Sequence, residues 1–106
     1  MTTTTTTDRI AVMQAIDAFV AMANAHPSTP LGYSYSADAP GKRYTRIVMN
    51  ANGSRSVHCF IDNAKGTLLK SAGWKAPAKG PRGNIVTDLD DVAARFDWSG
   101  HYLYLR

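Results

Sequence analysis

The segment Ser71–Asn84, SAGWKAPAKGPRGN, gathers Trp74, Lys75, Lys79 and Arg82 with no carboxylate among them. Residues of these types at this spacing can hold phosphate. A guanidinium donates to two phosphate oxygens at once, and Gly83 beside Arg82 lets the main chain come close. Lys75 and Lys79 add charge, Asn84 adds an amide, and an exposed indole stacks on a base for about 1–3 kcal/mol. Trp74 has two readings: an apolar anchor that holds the loop to a sheet, which is the expectation, or a stacking surface. Upstream, Arg43, Arg46 and Arg55 lie on a β-rich stretch with Tyr44, which offers further phosphate contacts and a second ring.

The charge distribution supports this chemistry. Residues 42–82 hold nine cations against Asp62 alone, a net of +8, while residues 1–41 and 83–106 each sum to −2. A basic block between acidic ends attracts nucleic acid, nucleotide phosphates or an acidic protein face.

Other chemistries lack their parts. The chain has no glutamate and no carboxylate pair in an apolar setting that suggests acid–base work. His58 and Cys59 are neighbours on a predicted strand, so their side chains point to opposite faces and form no dyad. Three histidines and one cysteine lack the paired spacing of a zinc site. Neither GxxxxGK[ST] nor GxGxxG occurs. The expectation is a non-enzymatic protein without metal or cofactor, in which Cys59 is a small core residue. A lone cysteine makes no internal disulfide and suits a reducing compartment. There is no apolar run of about 18 residues and no signal-peptide pattern at the start, so no membrane association is expected.

The elements that must position these residues are read from periodicity. MTTTTTT, residues 1–7, reads as a disordered threonine tail, followed by a single α+β domain over 8–106. From Asp8, Ile10, Met13, Ile16, Val20 and Ala23 recur at helical spacing with Val12 and Phe19 beside them, capped by Thr7 or Asp8 and ended by His26-Pro27. Leu31, Tyr33 and Tyr35 alternate as a short edge strand. Two β-rich runs flank Asn52-Gly53, the pair favoured in a type I′ hairpin turn. On the first run Tyr44, Arg46 and Val48 share a face; on the second, Val57, Cys59 and Ile61 oppose His58 and Phe60. TLLKSAG makes a third strand, the Pro/Gly loop follows, DLDDVAARF forms a short helix, and GHYLYLR closes the chain as a strand. The predicted fold is therefore an antiparallel β-meander of three to four strands packed against an N-terminal helix, with a short second helix.

Residues 55–85 also carry a pattern of the form RSVxxF[VI]D, a turn, KxxxW, then PAKxxRxN. The matching positions are Arg55, Ser56, Val57, Phe60, Asp62, Lys70, Trp74, Pro77, Ala78, Lys79, Arg82 and Asn84. This segment resembles a group of small proteins encoded by tailed bacteriophages, whose function is unsettled. The resemblance implies a phage product acting in the host bacterial cytoplasm and supplies no catalytic residues. Together, these readings lead to an expected binder of nucleic acid or another phosphate-rich ligand, such as a nucleotide, through the basic Pro/Gly loop. The alternatives are a module that binds a host protein and a minor virion component.

Overall fold

Asn52 and Gly53 both adopt positive φ, 53° and 90°. A type I′ turn requires this pair of conformations, and the turn twists in the same sense as the strands it joins. In the computed structural model, which describes the backbone of residues 5–103 and the side chains of residues 9–100, 102 and 103, that turn connects β2 (Tyr44–Ala51) to β3 (Ser54–Asp62). Around this hairpin lie α1 (Thr5–Ala25), β1 (Tyr33–Ala37), β4 (Thr67–Leu69), β5 (Gly83–Asn84), α2 (Leu89–Arg95) and a final 3-10 turn, His101–Leu103. The five strands form one antiparallel sheet in chain order, β1-β2-β3-β4-β5. The fold is α+β, a meander beside an N-terminal helix with a short second helix, as the sequence predicts.

One face of the sheet carries the main core. Val12, Ile16, Phe19 and Ala23 of α1 are buried against Tyr35, Ile47, Cys59, Ile61 and Leu68 of the sheet, with Ile85, Val92, Phe96 and Leu103 closing the cluster. The spacing of these helix positions, four, three and four residues, keeps one stripe inward. The expected stripe holds in part: Ile16 and Ala23 are core, but Ile10 and Met13 are 52% and 58% exposed, and Val12 and Phe19, read as lying beside the stripe, complete the buried face.

The second face is buried differently. Val48, Phe60 and Leu69 are also buried but point away from the helices, because they alternate with the core residues Ile47, Ile61 and Leu68. The segment 70–82 covers this face. It is pinned by main-chain bonds, with Ala78 N donating to Lys70 O at 2.7 Å and Arg82 N to Leu68 O at 2.7 Å, and by a bridge between Ser71 and Pro77. Gly66 fits the turn before β4 because its φ of +76° suits glycine and because a Cβ there would lie 2.6 Å from Val86 Cγ2.

Several boundaries differ from the sequence reading, and β1 starts at Tyr33, without Leu31. α1 begins at Thr5, so Thr7 and Asp8 lie inside it instead of capping it, and residues 1–4 of the expected tail fall outside the described residues. The third strand stops at Leu69, since Ser71 already turns to meet Pro77. The two-residue strand β5 was not foreseen. The expected C-terminal strand is a 3-10 turn over His101–Leu103. Leu103 N donates to Gly100 O, and Leu103 O accepts from Arg82 Nε at 2.7 Å, which withdraws both groups from any ladder. Tyr104–Arg106 lie outside the described residues.

Phe19 is fully buried and packs edge-on against Phe96 at 6.1 Å and beside His58 at 6.5 Å. Phe19→Ala is expected to cost about 3–5 kcal/mol in urea unfolding, near the whole stability of a chain this small.

Candidate functional site

The alternation of β2 sends Tyr44, Arg46 and Val48 to the face away from α1. On β3 the expected alternation breaks. Ile47 pairs with Cys59 but Val48 pairs with Val57, so His58 is an extra residue, a β-bulge. The bulge shifts the parity of everything before it. Cys59 and Ile61 face the helices, whereas Arg55 and Val57 fall on the same face as Phe60. The sequence reading had Val57 with Cys59 and Ile61, and it had His58 and Cys59 on opposite faces. Both neighbours are in fact buried, and His58 sits with the helix-side aromatics.

Arg55 and Arg46 thus meet on one surface, with Asp38 between them. Arg46 Nη1 donates to Asp38 Oδ2 at 2.9 Å and Arg55 Nη2 to Asp38 Oδ1 at 2.7 Å. Trp74 lies against both guanidiniums, with ring-centroid distances of 4.5 Å to Arg46 and 5.5 Å to Arg55, and its carbonyl accepts from Arg46 Nε at 2.9 Å. At 42% exposed, Trp74 is neither a buried anchor nor an open stacking platform; it is a half-covered ring already occupied by two cations.

Beside this cluster, Tyr44 stands between two clefts. One, of about 240 Å³, is lined by Asp38, Lys42, Arg43, Tyr44, Phe60 and Lys75 among others. The other, of about 350 Å³, runs from Tyr44 past Asp62 and Lys65 to Lys79 and Pro81. Phe60 supports Tyr44 edge-on at 6.4 Å, and the Arg43 guanidinium lies 5.4 Å from the tyrosine ring centre. Lys42, Lys65, Lys75 and Lys79 are exposed, and among the described residues their side chains make no ion pair or hydrogen bond. Lys42 and Lys65 were missed as site residues, although both belong to the basic block. Asp38 carried no signal in the sequence.

Arg82 and Asn84 do not join this surface. Arg82 Nη1 donates to the carbonyls of Lys79, at 2.7 Å, and Gly80, and its Nε donates to Leu103 O, so the guanidinium staples the Pro/Gly loop to the C-terminal turn. The Asn84 side chain accepts from Val86 N and Thr87 N and donates to Lys65 O, which shapes the turn before α2.

On the helix side, His58 is caged by Phe19, Tyr35, Phe96 and Tyr102, and its Nε2 lies 2.7 Å from the Tyr102 hydroxyl. Burial pulls its pKa down to about 4, against a smaller opposing pull from Asp97. Burial pushes the Tyr35 hydroxyl up to about 12 and raises Tyr102 and the Cys59 thiol as well. All four are neutral near pH 7, so this cage packs and orients; it offers no charged nucleophile. Among the described residues no group of three histidine, cysteine, aspartate or glutamate side chains could hold a metal ion, and no helix is long and apolar enough to cross a membrane.

Residues 5–105 match the model of a family of unknown function, DUF7717, and the chain belongs to that family. No curated protein and no solved structure matches the sequence.

Arg82→Ala should lower unfolding stability by about 1–3 kcal/mol, because three carbonyls lose a charged donor, while leaving the exposed lysines in place. Stability should also follow His58. Its pKa falls from 6.5 in the unfolded chain to about 4 on folding, so the unfolded state binds the extra proton between those values. The contribution is complete above about pH 6.5 and is lost as pH falls towards 4, for a total of roughly 3 kcal/mol. His58→Gln should flatten that part of a plot of urea-unfolding free energy against pH.

Proposed function

We propose that this protein recognises single-stranded nucleic acid along the sheet face that carries Tyr44, without catalysis. One observation carries the reading: four exposed lysines and Arg43, free of carboxylate partners, ring two adjoining clefts that share a single tyrosine. Phosphates passing along Lys42, Arg43 and Lys75 on one side and Lys65 and Lys79 on the other would bring unpaired bases to the Tyr44 ring. Stacking on a ring is sequence-tolerant because every base has a π-face. The Pro/Gly loop serves by forming a wall of each cleft with Lys75 and Lys79, and the staple made by Arg82 holds that wall. Given the resemblance to small tailed-phage proteins, the proposed setting is the cytoplasm of an infected bacterium.

Fluorescence anisotropy with labelled oligothymidine tests the reading. Binding should weaken with salt at a slope of about −2 to −3.5, the value for three to five phosphates on a single strand. Tyr44→Ala should weaken binding by about 5- to 150-fold. Lys65→Ala with Lys79→Ala should weaken it and make the slope shallower by about 1.4. Absence of binding at low salt, or binding indifferent to salt, would retire the proposal and favour a protein partner.

A further inference from the structure

Arg46 and Arg55 do more than add to the charge of the face. Their guanidiniums converge on one small anionic group, the Asp38 carboxylate, each taking a different oxygen, at 2.9 and 2.7 Å. Both lie against the Trp74 ring, and Arg46 is fixed further by the Trp74 carbonyl. Two guanidiniums aimed at neighbouring oxygens of one anion also suit a phosphate group, which presents more oxygens than a carboxylate in a similar space. Asp38 is held by its main chain, with its N donating to Arg46 O at 3.0 Å, so its side chain can swing out by rotation alone. The side chain is partly exposed, at 27%, and Asp38 lines the same cleft as Lys42, Arg43 and Lys75.

We propose that Arg46 and Arg55, laid on Trp74, form a seat for one phosphate group, and that the Asp38 carboxylate fills this seat until a ligand phosphate displaces it. The inference rests on the nucleic-acid reading above for its natural ligand and adds to it a built-in competitor. Asp38 makes the free protein bind less tightly than its cations allow. It also gives the face a requirement for a phosphate placed at one point, over and above general positive charge. The phosphate could belong to a nucleic-acid backbone or to a free phosphate compound; the seat reads what the two have in common.

The test compares the wild type with Asp38→Asn, using labelled oligothymidine and, separately, inorganic pyrophosphate, at low salt. The asparagine variant should bind the oligonucleotide at least about fivefold more tightly, because two partly exposed ion pairs no longer compete. Its salt slope should steepen by about 0.7 to 1.4, for one or two added cation–phosphate contacts. Adding Arg55→Gln to Asp38→Asn should remove most of that gain. A gain that survives in the double variant would mean that only net charge matters, and the seat would be rejected. Equal affinity of a folded Asp38→Asn variant would make Asp38 a structural staple, while salt-dependent wild-type binding would leave the broader reading intact. No oligonucleotide binding by either protein would reject the nucleic-acid reading; tighter pyrophosphate binding by the variant would then still support the seat. If the variant fails to fold, NMR of the wild type decides. Pyrophosphate should shift the Arg55 Nε–Hε and Trp74 indole resonances at saturation, and unmoved resonances would overturn the proposal.

Discussion

The whole arrangement depends on one extra residue in β3. His58 has no partner in the ladder, and the parity of the strand reverses there. Beyond it, Cys59 and Ile61 enter the helix-side core. Before it, Arg55 and Val57 turn to the opposite face. A regular strand would have sent Arg55 towards the helices, away from Arg46 and Asp38. A bulge forfeits regular pairing at one place, and the loss is offset by what His58 gains: a cage of Phe19, Tyr35, Phe96 and Tyr102 and a hydrogen bond to the Tyr102 hydroxyl. Core and candidate site are therefore coupled through a histidine that touches no part of the site.

Eight of the cations divide by type, while Arg43 stands exposed with the lysines and Lys70 donates to Ser71 O. Arg46, Arg55, Arg82 and Arg95 are engaged within the protein, with Asp38, with backbone carbonyls, or, for Arg95, with Asp91 and the Arg82 carbonyl. Lys42, Lys65, Lys75 and Lys79 project into solvent. Physical differences between the two groups favour this division: a planar, weakly hydrated guanidinium fits several acceptors at fixed angles, whereas an ammonium stays hydrated at the end of a flexible stem. Net charge counts both kinds alike, and so overstates what this surface can offer a partner.

Much of the fold was legible in the sequence. Asn52-Gly53 set the hairpin, His26-Pro27 ended the first helix, and the aspartates at 88, 90 and 91 marked the second. Prolines kept 71–82 out of the sheet. The bulge was not legible, because RSVHCFID contains no glycine or other break to locate it, and both faces of the strand are covered. The phase of the α1 stripe was ambiguous because Ile10 and Met13 are as apolar as the residues that won. GHYLYLR alternates like a strand, but a side chain from elsewhere, Arg82, claims the Leu103 carbonyl. Of the residues on the candidate face, Trp74, Lys75, Lys79, Arg43, Arg46 and Arg55 are named by the sequence, whereas the place of Asp38 depends on a fold that sets residues 38, 46 and 55 side by side. Several positions of the RSVxxF[VI]D and PAKxxRxN pattern, including Asp62, Arg82 and Asn84, prove to shape turns and hold the loop.

The bulge has a consequence for how such a sequence can vary over time. A substitution on this hairpin changes one side chain, whereas a change in length also changes the pairing. Loss of one residue at position 58 would leave β2 and β3 free to pair without interruption, and the ladder itself would be more regular. Arg55 would keep its outward face, since Val57 would then alternate with Cys59, and the loss would instead empty the cage of Phe19, Tyr35, Phe96 and Tyr102. With His58 present only the bulged pairing keeps Arg55 beside Arg46; without it the regular pairing would do the same.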